Sequence, residues 1–434
     1  MTLLGEYPGF SYTGERRGEP LRLFEVRQRF PASGLPDIEG AVVDSVCALD
    51  LAGRVEPGSR IMVTAGSRGI AAIPRILAAV CTALRGLGAD PVILGAMGSH
   101  GGGTDAGQRE ILHSLGITLQ AVGAPVVTAS ETVELGRTRR GLPVHCDPLA
   151  LEADGVIVVN RVKSHTTARG SIQSGIVKKL VVGLGHRPGA ESFHQCGPAA
   201  MSEELEDMAR IVLESLPFLG GIAIVENAYE EPHRIEGIRP EELFEREREL
   251  LELSRTLSPT LPFAGADVLV VRSMGKNYSG TGVDTGVIGR YRVQGEADSS
   301  LPAIARIVAL DLSPESHGNA TGIGLLDLVT RRLASKVDPE PTYTNVLAST
   351  LTMRAMLPMV MRTDEDAVWA AVASAAVPPT RAVKLAVVRN TLDLETLWVT
   401  GALLEDIEMR EGMSVSSDSR PVIFGDDGAM QYPS

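Results

Sequence analysis

Short apolar runs recur along the chain, each closed by a glycine-containing turn and followed by a stretch with helical spacing. Arg60-Ile61-Met62-Val63-Thr64-Ala65, Pro91-Val92-Ile93-Leu94-Gly95-Ala96-Met97 and Gly155-Val156-Ile157-Val158-Val159-Asn160 read as buried strands. The first two run into Gly66-Ser67-Arg68-Gly69 and Gly98-Ser99-His100-Gly101-Gly102-Gly103-Thr104, and Lys163-Ser164-His165 follows the third. Between them, Ala71 to Leu87 places apolar residues at helical spacing, with Pro74 near the first turn where proline is tolerated. Thr104 through Ser114 predicts another helix, with Thr104 or Asp105 as its N-cap. Strand, turn and helix in alternation predict a doubly wound, mostly parallel sheet.

The entry segment holds a helix-like stretch around Ala41–Cys47. After residue 198 come an acidic amphipathic helix from Ala199 to Leu216, a strand over Gly221–Asn227 and a charged, solvated helix over Glu241–Leu253. Asp267–Val271 opens a second α/β unit with a glycine-rich turn, Met274 to Asp284. A strand over Arg306–Leu312, the turn Ser316–Gly324, a helix over Leu325–Lys336 and a strand over Ala382–Val388 follow. The acidic tail from Gly425 is expected on the surface. The expected organisation is therefore α/β with two domains, 1–258 and 259–434, and the active site in the cleft between them, where such pockets usually lie. No solenoid-period repeat or low-complexity segment is present.

At 434 residues the chain is long enough for two or three cores. Aromatics are only 4%, so those cores are expected to rest on aliphatic residues and methionine. A formal net charge of −13 argues against nucleic acid as a partner, because phosphate binding needs clustered lysine and arginine. The N-terminal residues lack the pattern of a signal peptide and no apolar run spans a bilayer, so no membrane partner and a cytoplasmic location are expected. Cys47, Cys81, Cys146 and Cys196 show no paired spacing, which disfavours a disulfide framework. Cys196, two residues beyond His194, is either a soft metal ligand or a small buried residue. Oligomeric state is not legible from the sequence.

Ligands of parallel sheets gather outside the carboxyl ends of the strands, which brings Arg68, His100 and His165 toward one edge. Two histidines there suit a base and an acid working on opposite faces of a substrate. The Gly98–Thr104 loop is either an anion-binding turn or a tight turn with an ordinary histidine. Lys178 and Lys179 lie in the apolar run Ile176-Val177-Lys178-Lys179-Leu180-Val181-Val182. An apolar setting lowers a lysine's pKa and frees its amine for chemistry, the alternative being one lysine snorkelling at a helix edge. His100, His165 and His194 could ligate a metal, although their spacing matches no metal motif. Arg68 and Lys276, each in a turn after a strand, suit a carboxylate or phosphate. Asp284 and Arg290 are expected to pair, and His317 with Asn319 reads as a turn and helix cap.

Gly66-Ser67-Arg68, Met97-Gly98-Ser99-His100, Lys163-Ser164-His165 and the block from Ser174 to His194 together resemble the nickel-pincer lactate racemase family of 2-hydroxy acid racemases and epimerases. The likeness covers most of the chain, and Gly275–Gly282 with Ser316–Gly324 mark it as a divergent branch. The resemblance implies an isomerase. Lys178 would tether a nickel-pincer nucleotide, His194 would ligate its nickel, and Arg68, Ser67 and Gly98 would line the cofactor pocket. It further implies that His100 and His165 take the hydroxyl proton from either enantiomer while the α-hydrogen leaves as hydride to the cofactor, with Lys276 a pocket lysine from the second domain. The expected partner is a small hydroxy acid, lactate-like or a sugar acid. Around the lysine, Gly175-Ile176-Val177-Lys178-Lys179 and Val181-Val182-Gly183 replace the family's two glycines, arginine and later proline, and Ala65 replaces an acidic residue. Bulk at Ile176 and Val177 is expected to narrow the cofactor cradle, and Lys179 offers a second amine. The alternatives are a cofactor-free lyase or isomerase using lysine and histidine as base and acid, and a non-catalytic binder of a carboxylated or phosphorylated metabolite.

Overall fold

A computed structural model describes residues 7–16, 20–30, 33–67, 69–298 and 301–431. The chain forms two compact units, Ala32–Ser258 on one hand and Met1–Pro31 with Pro259–Ser434 on the other. The first strand, β1 (Arg22–Arg27), explains why the early residues group with the C-terminal half rather than with 32–258. It lies antiparallel to a late strand, with Leu23 opposite Thr400 and Arg27 opposite Thr396.

The Ala32–Ser258 unit contains β2 (Arg60–Ala65), β3 (Asp90–Gly95), β4 (Val126–Val127), the hairpin β5 (Val133–Arg137) and β6 (Pro143–Cys146), then β7 (Gly155–Arg161), β8 (Phe218–Glu226) and β9 (Pro232–Ile238). Its main sheet runs β4-β3-β2-β7-β8-β9. Pairing is parallel from β4 to β8, and only β9 lies antiparallel, against β8. Residues on both faces of β2, β3, β7 and β8 are buried, so these strands read as continuous apolar runs rather than alternating ones. One face packs on helices Ile38–Ala48 and Ile73–Gly86, and the other on Met201–Ser215 and Leu243–Leu257. The doubly wound expectation holds here.

The other unit is built on β10 (Gly265–Val271), β11 (Ala303–Ala309), β12 (Leu328–Thr330), β13 (Met359–Met361), β14 (Leu385–Val388) and β15 (Thr396–Thr400). Its strand order β13-β12-β11-β10-β14 is parallel, and β15 and β1 extend it antiparallel. The helix expected over Leu325–Lys336 is only Arg331–Lys336, because Leu328-Val329-Thr330 pairs with β11 and Thr330 then caps the helix. Among the described residues, no helix is long and apolar enough to cross a membrane.

Candidate active site

The carboxyl edge of the first sheet collects the polar groups. Ser67 follows β2, His100 follows β3 and His165 follows β7, and the Ser67 hydroxyl and His100 Nδ1 are hydrogen-bonded. Arg68 lies outside the described residues. The glycines after β3 serve packing: a Cβ on Gly101 would meet the Gly107 carbonyl carbon at 2.5 Å, and Gly101, Gly102 and Gly103 all have positive φ. Amides in this loop are used within the fold, Gly98 N–H donating to Gly183 O, His100 to Met97 O and Gly103 to His100 O. Of the two readings of this loop, the tight turn describes its backbone better than an anion cradle.

His165 is fixed by a self-bonded loop. Lys163 N–H donates to Ser174 O at 2.9 Å, which closes residues 163–174 at their base, and Asn160 Nδ2 donates to Gly175 O at 2.6 Å. Inside the loop, His165 N–H donates to Gln173 Oε1 at 2.8 Å. The ring Nδ1 accepts from the amides of Thr167, at 3.2 Å, and Ala168, at 2.9 Å.

Beyond Gly175 the chain makes one helical turn, Ile176–Lys178, and continues through a π-helical turn, Lys179–Gly183, into the helix His186–Gln195. The wider turn separates the two lysines. Lys178 is half-buried, whereas Lys179 is buried with its Nζ donating to Ala96 O at 3.1 Å. A Cβ on Gly66 would come within 2.2 Å of that Nζ and one on Gly183 within 2.6 Å of the Lys179 Cδ, so both glycines clear its slot. Burial pulls the Lys179 amine down to about 8. Ile176 and Val177 point into the core, Ile176 against Gly221, so neither narrows the surroundings of Lys178 as their bulk suggested.

His194 lies close enough to Lys178 to feel its charge. Burial pushes the imidazole down to about 4; the Ala190 carbonyl opposes this and the Lys178 ammonium adds to it. His194 Nδ1–H donates to Ala190 O at 2.6 Å, which leaves Nε2 as the bare nitrogen of a neutral ring, the form that ligates metals. Cys196 is no soft ligand here: its thiol donates to Phe193 O at 2.8 Å, and burial raises it to about 11. Among the described residues no cluster of three or more His, Cys, Asp or Glu could hold a metal.

Sequence reasoning missed three supports of this edge. Glu247, from the helix Leu243–Leu257, accepts the Val177 amide at 3.0 Å, and burial raises its carboxyl to about 7. A signal existed, because Glu247 falls on the buried stripe Leu243, Leu250, Leu251, Ser254 of a helix read as solvated. His186 Nε2 and Asp147 Oδ2 are 2.7 Å apart and fully buried, anchoring the start of the His194 helix to the end of β6. His186 also has φ +47, a strained value for a non-glycine residue. Glu226 at the end of β8 pairs with Arg161 at the end of β7 and accepts the Ala71 amide at 2.8 Å.

In the C-terminal unit, Lys276 follows β10. Its Nζ donates to Gly280 O at 2.9 Å and to Asn345 Oδ1 at 2.6 Å, while its amide donates to Ser316 Oγ at 2.9 Å. Asn319 donates to the same Asn345 Oδ1 and accepts the Thr321 amide and hydroxyl, so the two glycine turns after β10 and β11 form one hydrogen-bonded scaffold. The expected Asp284–Arg290 pair does not form. Asp284 caps the helix Thr285–Ile288 through the Gly286 and Val287 amides, and Arg290 pairs with Asp327 at 2.7 Å.

The Ala32–Ser258 unit is thus an α/β domain whose histidines and amines sit on the carboxyl edge of a parallel sheet. Residues 37–204, which hold Ser67, His100, His165, Lys178 and His194, match the family model described as "Lactate racemase N-terminal domain". That segment is similar to a lactate racemase N-terminal domain. Among solved structures, the lactate racemase apoprotein from Thermoanaerobacterium thermosaccharolyticum is similar at 12% identity and TM-score 0.47, over 75% of this chain and 82% of that one. No curated protein matches.

Proposed function

We propose that this protein is an isomerase, a racemase or epimerase acting on a 2-hydroxy acid through a nickel-pincer nucleotide tethered at Lys178. The observation that carries the reading is the pairing of Lys178 with a neutral His194 inside a lactate racemase-type segment. The His194 ring keeps Nε2 open by donating Nδ1–H to Ala190 O. Lys178 would carry the group and His194 would ligate its nickel; when bound, it supplies a hydride acceptor and donor. The protein's own part is to orient the hydroxy acid and move one proton. His100, braced by Ser67, removes the hydroxyl proton of one enantiomer, and His165 returns it as the other enantiomer forms. Fixed positive charge on the substrate carboxylate is assigned to Arg68.

Lys179 supports a second reading. A buried amine pulled down to about 8, bonded only to a carbonyl among the described residues, has the character of a lysine base, which suits a cofactor-free lyase or isomerase. Intact mass and nickel content of protein from the native source, with turnover of D- and L-lactate and a hydroxy-acid panel, separate the two. An added mass lost in Lys178→Ala, together with bound nickel, is the expected result. Unmodified, metal-free protein that turns over a hydroxy acid and loses this in Lys179→Ala overturns it in favour of the second reading.

A further inference from the structure

Lys178 stands on a single helical turn, Ile176–Lys178, whose N-cap is Gly175 and therefore has no side chain to offer the opening amides. So short a turn cannot hold itself, because it fixes several dihedrals for one bond, and its direction depends on outside ties. Asn160 Nδ2, at the end of β7, donates to Gly175 O at 2.6 Å. On the far side, Lys179 Nζ donates to Ala96 O at 3.1 Å and Gly98 N–H to Gly183 O at 3.4 Å, which tie the coil to the end of β3. The turn itself is held by Glu247, seventy residues away on the helix Leu243–Leu257. Its Oε2 accepts the Val177 amide at 3.0 Å, and the Ile176 amide bears on the same carboxylate. Gly175 shows how close that approach is. A Cβ there would lie 2.5 Å from Glu247 Cδ and 2.6 Å from each carboxyl oxygen, whereas its φ of −177° is extended backbone. Contact with Glu247, rather than backbone conformation, therefore asks for glycine at 175.

We infer that Glu247 is a positioning residue for the Lys178 amine: by accepting the Val177 amide it fixes the direction in which Lys178 leaves the turn, and so its place beside His194. This role rests on the reading of Lys178 as the attachment point and deepens it, since attachment there depends on a buried carboxylate from another helix. The turn needs an acceptor more than it needs a charge, because the contact is a backbone N–H bond inside the core. Glutamine keeps such an acceptor and alanine does not, which sets the two substitutions apart. Gly175→Ala reaches the same contact from the other partner, by pushing the carboxyl group off the amide.

The first arm of the test reads the amine without substrate. Full-length protein whose Lys178 is unmodified by intact mass is treated with a limiting amount of an acetylating active ester. Peptide mass spectrometry then gives the ratio of acetylation at Lys178 to that at Lys336 in the other unit. Glu247→Ala is expected to raise this ratio at least about fivefold, as the half-buried amine swings into solvent, and Glu247→Gln to leave it within about twofold of wild type. Gly175→Ala is expected to raise it as far, and to add nothing in the Glu247→Ala background, a coupling that general loosening does not give. An unchanged ratio in Glu247→Ala, a glutamine variant as reactive as the alanine one, or independent effects at 175 and 247 overturns the inference. Should Glu247→Ala not fold, Gly175→Ala decides: a raised ratio supports the role and an unchanged one overturns it. In the second arm the variants are produced in the native source. The share of chains carrying the added mass on Lys178 is expected to fall at least about fivefold in Glu247→Ala and to hold in Glu247→Gln. Wild type without that mass fails the functional reading, while the acetylation ratios still decide what Glu247 does.

Discussion

The carboxyl edges of the two parallel sheets read alike in sequence, each a strand, a glycine turn and a basic residue, yet they hold charge differently. After β10, the Lys276 ammonium is shared between a carbonyl and an amide oxygen, within a scaffold of hydroxyl and amide bonds. At the edge of β2 and β3, the Lys179 ammonium has the Ala96 carbonyl as its one acceptor among the described residues. Glu247, under the neighbouring turn, leaves Oε1 buried without a hydrogen-bond partner among the described residues. Buried charge supported this thinly is driven toward neutrality: the Lys179 amine falls to about 8 and the Glu247 carboxyl rises to about 7. The first edge thus bears an electrostatic cost that the second avoids, and perturbed groups of this kind gather where chemistry is done.

The largest effect is expected at the fully buried contact between Asp147 and His186. Asp147→Ala leaves His186 Nε2 buried without its carboxylate and removes the acceptor of the Leu149 amide, and should cost about 3–5 kcal/mol, read as a shift in the urea unfolding midpoint. A shift no larger than that of an exposed substitution would mean the pair is not an anchor. Next comes Lys179. Its folded value of about 8 lies below the ordinary 10.5, so the unfolded chain binds more protons between the two and stability rises as pH climbs through that window. The rise should total about 3 kcal/mol and be missing in Lys179→Met. Glu247 has the opposite sign. Its carboxyl is raised from 4.5 to about 7, so its contribution is fully present below 4.5 and lost as pH rises to about 7. Glu247→Gln should therefore flatten this loss and stabilise the protein near pH 8 by about 1–3 kcal/mol, as measured by denaturant titration at several pH values. An unaltered pH dependence would show the carboxylate to be better solvated than its burial indicates.

Lys276→Met should cost about 1–2 kcal/mol in denaturant titration, because it breaks the bonds to Gly280 O and Asn345 Oδ1. A cost below that of an exposed substitution would mean these bonds do not hold the turn. Smallest is Thr104→Ala, which removes the bond from Gly107 N–H to the threonine hydroxyl at the start of the helix after β3. It should cost about 1 kcal/mol in thermal denaturation.

Local signals carried the strand edges. Arg60–Ala65 is a strand to the residue because an apolar run stops at glycine, and Thr104 caps its helix because its hydroxyl sits three residues before an amide that needs an acceptor. What escaped depends on distant partners. β1 owes its place to β15, almost four hundred residues away, so its own pattern could not announce which unit it joins. The Asp147–His186 pair likewise joins residues from a hairpin and a helix, and nothing near either names the other. Asp284 and Arg290 looked like partners because they are close in sequence, yet an N-cap and the Asp327 carboxylate claim them separately. Lys178 and Lys179 stayed ambiguous because periodicity assumes regular helix.

That irregular coil has a mechanical corollary. An α-helix advances about 100° per residue, so the wide turn Lys179–Gly183 sets the phase of everything after it, His194 included. Deleting one residue there would rotate the His194 imidazole roughly a quarter-turn or more away from the Lys178 amine, leaving both residues in place by composition and out of alignment. The spacing of sixteen is therefore a gear ratio cut into the backbone, and a homologue with fifteen or seventeen would need a different coil to mesh.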